Sequence, residues 1–360
     1  MRHFYFCLGI FLLSNNLSAQ HIDIRTDTKS AEAIISLLDR SPDMVSNDEL
    51  IRISKLPGNQ HLIEKVKGST GAGSDVFIST LKELIETGDI EGDDKYQWKF
   101  VKQSLPKIRG LLQKVNSSGE NLSDDIASRI KMYTPDKISL KAQAYFIVGG
   151  DALGFTLDGE SFHVALQNIG DDYEGLKVLM MHELYHNIQN EGLNLRERIL
   201  GEKPSYNEKA TYALLYELWS EGLANFVGDY TKIEQPGEFA RSQIAVYEKN
   251  DKRNRSNFYL FETLLYRAFH DPKVSYGQLY NIGFTTEFDE VFYAVGYEMA
   301  KQLVSVYGNQ VVKDLVLQDP VRFVSRYIEL YQQNPSMKLV PLSKETEDLI
   351  SKMLTWENRI

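Results

Sequence analysis

Over most of the chain, apolar residues recur three and four positions apart. This spacing places them on one face of a helix. Between residues 20 and 139, "SAEAIISLLDR", "SDVFISTLKELIETG", "QWKFVKQSLPKIRGLLQKV" and "LSDDIASRIKMY" each follow it, and "GSTGAGS" (68–74) and "NSSGEN" (116–121) break it. The pattern changes near residue 140. "AQAYFIVGG", "LGFTL" and "SFHVALQ" are short, rich in β-branched and aromatic residues, and separated by "GGD" and "DGE". They predict two or three strands joined by tight turns. A long helical pattern follows in "DDYEGLKVLMMHELYHNIQNEG", with Asp171 or Asp172 as N-cap and Gly192 as stop. After Pro204, Ser205 and Glu208 form a capping box for a second helix, ending at Val227 with Gly228 beyond it. From about residue 240 onward the chain is again helical, most clearly in "EFDEVFYAVGYEMAKQLVSVYG". The pattern predicts a mainly α, α+β protein. A helical region spans 20–139, and residues 140–360 form a second domain with a small, mostly antiparallel sheet and a helical C-terminal part.

Composition narrows the function. The chain has 360 residues and a net charge of −10, with no Lys/Arg block. Nucleic acid is therefore not an expected partner. Residues 1–19 read as a cleavable signal peptide: a basic Arg2, an apolar run from Phe4 to Leu13, and small residues ending at Ala19. This run is too short to span a bilayer, and no later stretch is long and apolar enough to do so. The expectation is a secreted or periplasmic protein without an integral membrane segment. The one cysteine, Cys7, lies within that peptide. Disulfides, a cysteine nucleophile and cysteine metal ligands are therefore not expected.

The second half carries candidate chemistry. His182 and His186 are four residues apart in a helical stretch, and Glu183 follows the first. Positions i and i+4 share a helix face, so the two imidazoles can hold one ion. This is the H-E-x-x-H arrangement: zinc sits on the histidines and the glutamate is general base toward a water. With seven histidines in the chain, such a match arises by chance on the order of once in a hundred sequences.

A catalytic zinc site needs a third protein ligand. "NIQNEGLNLRER" supplies no third histidine of the metzincin kind. In "ELWSEGLANF", Glu221 falls about 20° from Leu214 on the buried stripe, and Glu217 about 60° away toward the flank. A carboxylate aimed into a core is costly unless it is paired or bound to metal. Glu221 is therefore the expected ligand, with Glu217 read as a solvated helix charge. Gly222 beside it admits close approach of another backbone.

His182-Glu183-x-x-His186 together with Ser220-Glu221-Gly222-Leu223-Ala224 resembles the gluzincins, metallopeptidases with thermolysin-like catalytic domains. The chain is similar in particular to secreted bacterial proteins described as zinc-dependent peptidases. The resemblance covers about residues 140–310 and implies a zincin-like domain over 140–360. In gluzincins the second zinc helix often carries an aspartate four residues after the glutamate, orienting a zinc histidine. Asn225 stands there, and an amide can accept the same bond without the charge. Gluzincin aminopeptidases carry a Tyr-x-x-Gly at the start of a later helix. Tyr293-Ala294-Val295-Gly296 is similar, which makes the Tyr293 phenol the implied oxyanion donor and Tyr297 the second choice. The resemblance also implies that substrate adds to an edge strand within "GFTLDGESFHVALQNIG". His163 and His270 are read as structural.

The expected function is hydrolysis of peptide bonds in peptides or proteins, with one Zn2+ per chain, held by His182, His186 and Glu221 and with Glu183 as general base. Two alternatives stand beside it: a zinc-binding, catalytically decayed protein of gluzincin fold, and an exported helical interaction protein with an accidental motif. The sequence does not fix the oligomeric state.

Overall fold

The computed structural model describes residues 20–118, 120–157 and 160–360. The expected signal peptide and residues 158–159 of the "DGE" turn lie outside the described residues. Strand β1 (His21–Asp27) leads into helices α1 (Lys29–Leu38), α2 (Asn47–Ser54), α3 (Pro57–Thr70), α4 (Ser74–Thr87), α5 (Trp98–Ser118) and α6 (Glu120–Lys131). Three strands follow: β2 (Ser139–Ile147), β3 (Gly154–Thr156) and β4 (Ser161–Ala165). Next come two long helices, α7 (Tyr173–Asn194) and α8 (Tyr206–Val227). The chain ends in α9 (Glu238–Lys252), α10 (Asn254–His270), α11 (Tyr276–Phe284), α12 (Val291–Tyr307), α13 (Gln310–Val316), α14 (Val321–Gln333) and α15 (Lys344–Met353). Among the described residues no helix is long and apolar enough to cross a membrane.

The helices begin and end where local chemistry directs. In α4, Phe77, Leu81, Leu84 and Ile85 form the buried stripe, and Gly88 closes the helix at φ 86°, a backbone region that glycine enters without penalty. The expected capping box opens α8, with Ser205 accepting from Glu208 N and the Glu208 carboxylate accepting from Ser205 N. Asp172 caps α7 by accepting from Gly175 N at 2.9 Å, and its other oxygen accepts from Ala240 N of α9 at 2.8 Å. Gly192 does not stop α7, which runs on to Asn194. Its missing side chain instead admits the Val316 backbone, which a Cβ at that position would strike.

The sheet is mixed rather than mostly antiparallel. Its order is β1-β2-β4-β3, with β1–β2 and β2–β4 parallel and β3–β4 antiparallel. Six helices intervene between β1 and β2, and a crossover of that size brings the chain back in the same direction. After β2 the chain visits the outer edge as β3 before β4 inserts between them. Alternation finds strands but not their order. β1 escaped notice within a region expected to be helical, because Ile24 is its one buried residue.

β4 is buried along its whole length, and α7 packs across β2, β3 and β4. α8 lies against α7 and crosses α12. Both α7 and α8 are buried over most of their circumference, as central helices must be. Trp219 of α8 is fully buried and donates its indole N–H to Leu315 O at 3.2 Å. Truncating such an anchor costs about 3–5 kcal/mol.

Candidate metal centre

α7 and α8 run side by side and bring three donor atoms together. His182 Nε2 and His186 Nε2 are 3.2 Å apart. Glu221 Oε2 lies 3.3 Å from the first and 3.5 Å from the second. A tetrahedral zinc with arms of about 2.0–2.1 Å has ligand–ligand edges of about 3.3 Å. The three atoms therefore mark one face of such a tetrahedron. Glu221 Oε2 is buried without a hydrogen-bond partner, a costly state for a carboxylate with no cation beside it. The donor set of two imidazoles and one carboxylate suits zinc.

Electrostatics point the same way. Burial lowers the basicity of His186, but the Glu221 carboxylate outweighs it and pushes the imidazole up to about 9. Burial raises the Glu221 carboxyl, yet the two imidazoles hold it far below the ordinary range.

His186 is oriented from behind. Its Nδ1 lies 3.0 Å from Gln189 Oε1 and 3.1 Å from Ser220 Oγ. The Gln189 amide nitrogen in turn donates to Ser220 O at 3.0 Å and Trp219 O at 3.4 Å. The expected orienter, Asn225, lines the neighbouring cavity, and among the described residues its amide bonds to neither imidazole. Sequence reading missed Gln189, because the carbonyls it donates to lie on a different helix. The one local signal was its position three residues after His186.

A cavity of about 580 Å³ opens beside the cluster, walled by His182, Glu183, Tyr230, Glu290 and Tyr293 and by Leu153–Gly154 at β3. Glu183 is 6% exposed, and burial raises its carboxyl above the ordinary range. It lies against the sheet edge: a Cβ on Gly154 would be 2.5 Å from Glu183 Oε1. Among the described residues β3 pairs on one side only, with β4, and no strand lies along its other edge.

Tyr293 stands near the two histidines, its ring almost parallel to that of His182 with centroids 6.4 Å apart. Burial and the Glu221 charge raise its phenol well above the ordinary value, so it stays protonated as a donor. Among the described residues its hydroxyl has no hydrogen-bond partner. The same holds for Tyr230, a second cavity phenol that the sequence did not single out. Tyr297, by contrast, donates to Asp229 Oδ2 at 3.1 Å. Asp289 and Glu290, just before α12, are consecutive non-glycine residues at φ 60° and 52°, an unfavourable backbone held by tertiary contacts. Asp289 is fixed by Lys249 and Arg253.

Three other expectations meet the structure here. Glu217 is half-buried rather than fully solvated; burial, with the Glu221 charge adding to it, raises its carboxyl to about 7. His163 is fully buried and stacks against Phe155 and Tyr145 with centroids 4.4 and 5.3 Å away. Its Nδ1 donates to Phe155 O at 3.1 Å, which leaves Nε2 to accept from His61 Nδ1 at 2.7 Å. His270 ends α10 and packs on Tyr266.

No curated protein and no solved structure matches the chain. The family match reaches well ahead of residue 140, so helices α3 to α14 fall within it together with the histidines. Residues 50–336, most of the chain, match the family model described as "Putative zinc dependent peptidase (DUF5700)", and the chain belongs to that family.

Proposed function

We propose that this chain is a single-zinc peptidase of the gluzincin kind, secreted or periplasmic, with His182, His186 and Glu221 as metal ligands. Family membership carries zinc-dependent peptide hydrolysis. The observation that carries the finer reading is the spacing of the three donors at 3.2, 3.3 and 3.5 Å. Zinc bound there supplies Lewis acidity, making a water nucleophilic near neutral pH and polarising a carbonyl.

The remaining work belongs to the protein. Glu183 takes a proton from the attacking water and returns it to the leaving amine, a task suited to a carboxylate whose basicity burial has raised. The Tyr293 phenol donates to the carbonyl oxygen as it becomes negative, a contribution of about 3–4 kcal/mol. The substrate backbone lies along the outer edge of β3, adding itself as a strand. The decayed-protein alternative rested on Asn225; the contacts of Gln189 and Ser220 with His186 support the active reading, because that ring is oriented without the missing aspartate. The signal-peptide layout of residues 1–19 supports export.

The test is metal analysis of the chain from Gln20 onward, coupled to digestion of a broad peptide library. One zinc per chain and cleavage are expected. A stoichiometrically zinc-loaded chain that cuts no peptide would establish the binding-protein alternative instead.

A further inference from the structure

Gln189 is 1% exposed and sits between the two helices that carry the metal triad. Amide oxygen and nitrogen are told apart by what each meets. The nitrogen faces Trp219 O and Ser220 O, which can only accept. The oxygen therefore faces His186 Nδ1, at 3.0 Å. An amide oxygen is an acceptor only, so Nδ1 must carry the proton, and in the neutral ring Nε2 then carries the lone pair. Ser220 Oγ, at 3.1 Å from the same nitrogen, can give or take a proton and does not choose the tautomer.

We infer that Gln189 is a positioning residue for the metal: it holds His186 as the Nδ1–H tautomer and ties that ring to the backbone turn that precedes Glu221. This rests on the reading of His182, His186 and Glu221 as zinc ligands. One amide thus sets two of the three ligands relative to each other across the α7–α8 interface. The two carbonyls it meets lie inside α8 and keep their helical N–H partners, so removing the amide leaves no orphaned acceptor.

The experiment measures zinc affinity of the full chain by chelator competition for the wild type, Gln189→Met and Gln189→Glu, with the metal-free Tm of each. Met has a similar shape and no acceptor, and a loss of about 10–100-fold is expected. Glu restores an acceptor at Nδ1 and is expected to recover most of that loss. A methionine variant that binds zinc like the wild type overturns the inference. So does an equal loss in both variants accompanied by a lowered metal-free Tm, which marks a purely structural role. Should the glutamate variant fail to fold, the absorption spectrum of cobalt-loaded Gln189→Met decides. A changed ligand-field pattern is expected, and one superimposable on the wild type overturns the inference. A wild type that binds no zinc overturns the triad itself and this inference with it, an outcome distinct from a zinc-binding wild type indifferent to residue 189.

Discussion

Gly222 and Gly296 face each other where α8 crosses α12, so closely that a Cβ on Gly222 would lie 2.5 Å from the Gly296 Cα. Gly222 follows the proposed ligand Glu221, and Gly296 is one turn beyond Tyr293. The contact therefore sets the distance between the metal face of one helix and the phenol of the other. Alanine at either position forces the helices apart. A stability loss of about 1–3 kcal/mol is expected, read as a lower denaturation midpoint, together with reduced peptide cleavage. Full activity and an unchanged midpoint in Gly222→Ala would show that the crossing tolerates a wider spacing.

Glu183 is assigned to proton transfer and not to metal binding. Glu183→Gln should retain zinc while hydrolysis falls by about 10²–10⁴-fold. The check pairs metal content with initial rates. Cleavage at the wild-type rate would refute the mechanism.

Glu221 contributes the buried oxygen that closes the donor face. Glu221→Ala should lose stoichiometric zinc on dialysis. Chelation of the wild type should abolish cleavage, and one equivalent of zinc should restore it in the wild type and not in the variant. Retention of zinc by Glu221→Ala would move the third ligand elsewhere.

The two tyrosines of α12 make opposite predictions. Tyr293→Phe should lower kcat by about 10²–10³-fold with KM little changed, the cost of one oxyanion donor. Tyr297→Phe removes the hydrogen bond to Asp229 and should cost stability, about 1.5 kcal/mol, with kcat preserved. The reverse pattern would exchange their roles, and an unaffected kcat in both would direct attention to Tyr230.

Glu217 has a pH signature. Its carboxyl rises from an ordinary 4.5 to about 7 in the folded chain, through burial first and Glu221 second. A folded-state value above the unfolded one means that the native state binds more protons in that window. Stability is therefore fully present below pH 4.5 and is lost as pH rises toward 7. The loss is at most about 3 kcal/mol. Glu217→Gln should remove it, so the Tm advantage of the variant over the metal-free wild type should widen between pH 5 and 7.5. A gap independent of pH would mean that Glu217 is ionised in the fold.

How much of this was legible depended on distance along the chain. His182 and His186 share a helix face by local geometry alone, with Glu183 beside them, and Ser205 with Glu208 announced the start of α8. Glu221 could be read because a carboxylate on a buried stripe requires a reason. Glu217 is less solvated than its flank position suggested because α11 approaches it, where Tyr276 and Tyr280 both feel its charge. Gln189 was illegible because its meaning depends on the Trp219 and Ser220 carbonyls of α8. The sheet order was equally hidden, since β1 pairs across more than a hundred residues, His21 with Ser139. What periodicity conveys is a residue's own face. It does not convey which distant element arrives there.

Strand β3 is three residues long, which in extended chain is about 10 Å. A guest backbone laid beside it gains only a few hydrogen bonds and is gripped over a correspondingly narrow window. On the proposed reading of β3 as the substrate ledge, extended and already unfolded segments are the expected substrates, and a tightly folded domain is expected to resist cleavage until it loosens.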